Sequence, residues 1–192
     1  MGTFSSYFTF TTGTDPAGAW TSDAGAFDGT TGNPAIATIG TAGTNWSAKP
    51  IQASGNDAPT TGSLPISSVS IVLDYGFTLS SMVMYVVPIF GGSSAGTPIA
   101  VKPGSTGATS AVFVITADAK GPGAGNWTLD AVNALDCQVY PLSCLKAGGA
   151  VASIDRIRIL VEGGVGENAK KLFYRSSNAS VPITLYNTFV AS

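Results

Sequence analysis

Residues 154–161 read IDRIRILV, and their alternation decides the fold class. Side chains of an extended chain point to opposite faces in turn, so Ile154, Arg156, Arg158 and Leu160 share one side and Asp155, Ile157, Ile159 and Val161 the other. The second set is almost wholly apolar. It is expected to face a core while the two arginines point out.

The same signal recurs on both sides of this strand. Residues 66–75 alternate around Val69, Ile71 and Leu73, and residues 77–90 (FTLSSMVMYVVPIF) read as a longer strand rich in β-branched and aromatic residues. Asp74-Tyr75-Gly76 between them reads as a bend or tight turn. Residues 98–101 and 111–116 are further strands, separated by Gly- and Pro-rich breakers at 91–96, 103–107 and 121–125. Residues 129–142 read either as a short helix followed by a strand or as one bent strand. Residues 3–11 form a first strand whose Phe4, Phe8 and Phe10 share one face, and strands at 171–175 and 182–189 close the chain.

Between residues 13 and 62, Gly, Pro, Asn and Asp punctuate the chain, leaving short strand candidates at 36–40 and 46–53. Such a segment is expected to wind over a surface or to touch a partner. The expected fold is all-β: a two-sheet antiparallel β-sandwich, jelly-roll-like, with an extended N-terminal arm. Residues 1–62 are the first strand and the arm, and residues 63–192 are the sandwich core, within one structural domain.

Composition agrees with this. Gly, Ala, Ser and Thr fill close to half of the 192 positions, while glutamate stands only at Glu162 and Glu167. Helices favour Glu, Lys, Gln and Arg on exposed faces, and pleated surfaces favour Thr, Val, Ile and aromatics. With 9 Lys+Arg against 11 Asp+Glu there is no basic cluster to bind phosphates, so nucleic acid is not an expected partner. No apolar run is long enough for a membrane helix, and the first residues lack the features of a secretory signal. Cys137 and Cys144 fit no metal or redox motif; they are read as core residues, or as a local disulfide if paired strands bring them together.

The catalytic inventory is thin. With no histidine, a Ser-His-Asp triad, a Cys-His pair and an imidazole metal ligand are all excluded. Glycoside hydrolysis by two carboxylates is the one chemistry the residues permit. The acids stand singly, and Asp15, Asp23, Asp28, Asp57, Asp74, Asp118, Asp130, Asp136 and Asp155 flank turns or strand ends, where Asp satisfies local backbone donors. The chain is therefore expected to be no enzyme and to hold no cofactor or metal. Trp20, Trp46 and Trp127, with Phe27 and Tyr75, have two readings. They form an aromatic platform for sugar rings, or they anchor loops onto the sandwich, and their positions beside strand ends favour anchoring.

Two patches carry a resemblance. Residues 20–31 (WTSDAGAFDGTT) and residues 126–135 (NWTLDAVNAL), the latter followed by the strand at 154–161, resemble elements of small jelly-roll bacteriophage virion proteins. The resemblance covers under a third of the chain, which continues past residue 161 where the family's pattern ends. It implies a structural part of a phage particle: a capsid decoration or cement protein that bridges capsomers, or a neck or tail component. Its partners would be the major capsid protein or other virion proteins, with a homo-oligomer, a trimer foremost, and its location the virion. Phe4, Phe8 and Phe10 in the first strand, with Ile183, Leu185 and Phe189 in the last, are candidate interface residues, because terminal strands can extend a neighbour's sheet. A carbohydrate-binding host-adhesion module is the alternative, with Trp20, Phe27, Trp46 and Trp127 as glycan contacts.

Overall fold

In chain order the protein runs through β1 (Gly2–Thr14), β2 (Trp20–Thr21), β3 (Ala35–Ile39), β4 (Ile51–Asn56), β5 (Ile66–Phe77) and β6 (Met84–Phe90). It continues through β7 (Ser94–Ala95), β8 (Ile99–Val101), β9 (Gly107–Val114), the helix α1 (Leu129–Asn133), β10 (Asp136–Pro141) and β11 (Ala150–Val165). The computed structural model describes residues 2–39, 46–60, 62, 64–79, 82–101, 107–141 and 149–165. The strands predicted at 171–175 and 182–189 lie outside these, as does Cys144.

All pairings among the described strands are antiparallel, and they form two sheets that share β1. From Gly2 to Thr9, β1 pairs with β11; from Phe10 to Thr14 it pairs with β4. The first sheet runs β9-β5-β11, and β1 and β3 follow one another along the far edge of β11. The second runs β1-β4-β10-β6, with β7 and β8 on the outer edge of β6. The architecture is thus an all-β sandwich. One apolar cluster joins the inner faces: Val69, Ile71, Leu73, Phe113, Ile157 and Ile159 from the first sheet meet Ile51, Met84, Val86 and Val139 from the second.

The segment expected to wind over the surface supplies β2, β3 and β4 to the two sheets. Its irregular parts are pinned by small residues: the ring of Phe27 lies where a side chain at Gly13 would project.

Two strand readings change. Asp74, Tyr75 and Gly76 lie inside β5, not in a turn. Gly76 serves the close approach of β11, since a Cβ there would stand 2.8 Å from the Ser153 hydroxyl. The strand expected over 77–90 is divided, with Phe77 ending β5 and Met84–Phe90 forming β6. The chain leaves the first sheet at Phe77 and joins the second at Met84, and between them the Met82 amide bonds the Leu79 carbonyl at 3.2 Å.

The alternation of β11 also differs in one respect. Ile157, Ile159 and Val161 are fully buried as predicted, but so is Ile154, from the side assigned to the arginines. A β-bulge between Ile154 and Arg156 explains this, because one extra residue on a strand switches the parity of everything before it. Ala150, Ala152 and Ile154 face the core on one side of the bulge, and the odd-numbered residues do so on the other.

Residues 129–141 resolve into helix and strand. Thr128 caps α1 by accepting the Ala131 N–H at 3.2 Å. Asn56 then fastens the helix end, donating from Nδ2 to the carbonyls of Val132 at 3.0 Å and Asn133 at 3.1 Å. Asn133 returns the contact through its own Nδ2 to the Ala58 carbonyl at 2.7 Å.

Candidate functional site

The outward face of the first sheet carries the features that the fold alone does not need. Registers place Tyr7, Leu160, Ser70 and Val114 in one row across β1, β11, β5 and β9. The neighbouring row is Thr9, Arg158, Val72 and Val112. Val72 and Leu160 are buried and form the floor. Tyr7, Val112 and Val114 are 52%, 56% and 63% exposed, and they are the exposed large hydrophobic residues among those described. The patch spans about 14 Å from β1 to β9 at the usual strand spacing. At its far side β9 pairs with β5 alone among the described strands.

The polar end of this face is organised by Asp74. Its Oδ2 accepts from Arg156 Nε at 2.8 Å and from Arg158 Nη2 at 3.1 Å, linking β5 to β11. Partial burial pushes the Asp74 carboxyl up, but the Ser110 hydroxyl and the two guanidiniums outweigh it and hold the carboxyl below its ordinary value. The Arg158 guanidinium also lies over the Tyr7 ring, 4.6 Å from its centroid. Beside Asp74 is a cleft of about 260 Å³ lined by Gly32, Pro34, Tyr75, Thr109, Ser153 and Asp155.

The remaining acids that make hydrogen bonds hold backbone. Asp15 accepts from the Trp20 amide at 2.6 Å, Asp57 from Thr9 at 2.6 Å, Asp118 from Thr97 at 2.7 Å and Asp155 from Gly32 at 2.8 Å. Among the described residues no cluster of three or more metal-ligating side chains occurs. Cys137 is free and fully buried, and that burial drives its thiol well above the ordinary range.

The candidate interface residues fall differently from the prediction. Phe4 and Phe10 are buried in the chain's own core, and Phe8 packs against it half-buried. The aromatic face of β1 is therefore spent inside the sandwich, because β1 is paired to β11 and β4 rather than left as a free terminal strand. Ile183, Leu185 and Phe189 lie outside the described residues.

Trp20, Phe27, Trp46 and Trp127 are all buried. Trp20 donates from Nε1 to the Lys49 carbonyl at 3.1 Å and meets Trp46 edge to face at 6.2 Å. Trp127 donates to the Thr116 carbonyl at 3.0 Å and packs edge-on against Phe90 at 6.0 Å. They anchor loops and present no open ring face to a sugar.

Sequence reasoning missed Tyr7, Val112 and Val114. The signal was present in parity: Tyr7 lies opposite in phase to the phenylalanines of β1, and Val112 and Val114 flank the inward Phe113. It also missed the outward face of the second sheet, where Tyr85 and Tyr140 are directly opposed on β6 and β10. Their rings stack at 5.4 Å with 16° between planes.

No protein-family model and no curated protein matches this chain. Among solved structures, the CBM36-1 domain of a multidomain xylanase from the hindgut metagenome of Trinervitermes trinervoides is similar at 12% identity and a TM-score of 0.34, the alignment covering 84% of this chain and 98% of that domain.

Proposed function

We propose that this protein is a non-enzymatic structural component of a bacteriophage virion, a capsid decoration or cement protein that stabilises the shell by bridging capsomers. The observation that carries this reading is the patch of Tyr7, Val112 and Val114 on the face that includes β9, a strand paired with β5 alone among the described strands. Exposed large apolar side chains gathered on one face of a sheet mark a protein contact. The strand β9 itself reads GATSAVFV, with no charge and no proline. The two virion-like sequence patches supply the kind of particle. Binding of this type acts by mass action and buried area and needs no chemistry.

Val112→Lys with Val114→Lys tests it. Both side chains are exposed, so the fold should keep its stability to within about 0.5 kcal/mol. The variant should fail to attach to particles that bind the native chain. Unchanged attachment overturns the reading. Copy number then separates the components: hundreds per particle for a shell protein, a dozen or fewer for a neck or tail part.

A further inference from the structure

We propose that the outward face of the second sheet is a binding site for an uncharged oligosaccharide chain, centred on Tyr85, Tyr140, Gln138 and Gln52. This site lies on the sheet opposite the patch of Tyr7, Val112 and Val114, and it does not depend on the virion reading.

The residues converge by register. Tyr140 faces Tyr85 across β10 and β6, Gln138 faces Gln52 across β10 and β4, and Thr14 of β1 faces Gln52 in turn. Gln138 and Tyr140 are two apart on β10, so the amide row and the tyrosine row are adjacent on one face, about 7 Å apart. All four central side chains are half-buried.

Their chemistry selects the ligand. Tyr85 and Tyr140 form a stacked pair that offers apolar ring surface with a hydroxyl at its tip. Each glutamine amide brings two N–H donors and a carbonyl acceptor, and neither makes a side-chain hydrogen bond among the described residues. Ring surface beside unengaged amides matches a pyranose, which has an apolar C–H face and a rim of hydroxyls that both donate and accept.

Other occupants fit less well. Among the described residues neither row carries a charged side chain, and Asp136, two residues before Gln138 on β10, is acidic, so a polyanion finds no cation to pair with there. A peptide strand needs a free sheet edge, whereas β4 and β10 are paired on both sides. Strands lie about 4.8 Å apart, comparable with the length of one sugar ring, so successive rings can follow the row from β4 to β6.

The test is affinity electrophoresis of the full chain in gels containing soluble xylan, β-glucan or mannan, with polygalacturonate as the anionic probe. At least one neutral polymer should retard the native protein, and polygalacturonate should not. Tyr85→Ala should weaken retardation about tenfold or more. Because that change also removes packing, the double variant Gln52→Ala with Gln138→Ala serves as the second arm. It should keep the native melting temperature and lose binding to the same polymer. Val112→Lys with Val114→Lys should bind like the native chain. No retardation by any neutral polymer, preferential binding of polygalacturonate, or unchanged binding by the glutamine double variant would each overturn the proposal.

Discussion

Arg158 lies over the ring of Tyr7, its guanidinium carbon 4.6 Å from the ring centroid, while its Nη2 reaches Asp74 at 3.1 Å. One side chain thereby ties β1, β11 and β5 together across the outward face of the first sheet. A guanidinium does this where an ammonium cannot, because its plane stacks on a ring while its N–H groups remain free to bond.

Asp74→Asn should destabilise the fold by about 2 kcal/mol, the scale of hydrogen bonds to charged groups. The carboxyl is held below its ordinary value in the folded chain. Its contribution is therefore complete above the ordinary Asp range, near pH 4, and is lost as pH falls through the depressed value. Urea unfolding of the native chain should show that acid limb. In the Asn variant the limb should be shallower, and an unchanged limb would show that Asp74 does not supply it.

At the bulge, Ile154→Lys and Arg156→Lys should behave in opposite ways. Strict alternation puts both residues outside. With the bulge, Ile154 is fully buried and its replacement by lysine should prevent folding or cost more than about 4 kcal/mol. Arg156→Lys keeps a charge beside Asp74 and should cost about 1 kcal/mol or less. Equal melting temperatures for the two would contradict the parity switch.

Asn133→Ala should loosen the joint between α1 and the loop after β4. The variant leaves the Ala58 carbonyl without its Nδ2 donor, at a cost of about 1 to 3 kcal/mol. Amide exchange at α1 should quicken more than exchange in β5 and β11. Uniform acceleration through the whole chain would argue against a local clamp.

Cys137 should resist thiol reagents in the native protein. Its full burial and the charge of neighbouring Asp136 both oppose the thiolate, which is the reactive form. Mass-mapped alkylation at pH 8 should find Cys137 unlabelled until denaturant is added. Rapid labelling of Cys137 without unfolding would refute this.

Trp127→Phe should be tolerated better than Trp127→Ala. The alanine leaves a cavity against Phe90 and frees the Thr116 carbonyl, costing about 3 to 5 kcal/mol, whereas phenylalanine keeps most of the packing. Thermal melts of the two variants check the order.

Residues 154–161, 66–73 and 111–114 were legible as strands because period-two alternation is local and survives without knowledge of any partner. Asp74-Tyr75-Gly76 was not. Its glycine and aspartate match turn chemistry, and only the approach of Ser153 and the two arginines shows that a strand passes there. The tryptophans were legible as loop anchors from their places beside strand ends, but the choice between anchor and platform needed their burial.

By itself the sequence determined an all-β chain with a histidine-free set of side chains and two sheets' worth of alternating strands. Tertiary structure alone decided three things: that β1 passes from one sheet to the other, that a bulge before Arg156 turns Ile154 inward, and that Tyr7, Val112 and Val114 end in adjacent rows. The reason is the range of the forces involved. Alternation is written within a few residues of one strand, whereas register is set by pairing between segments distant along the chain, and a shift of one residue exchanges the faces.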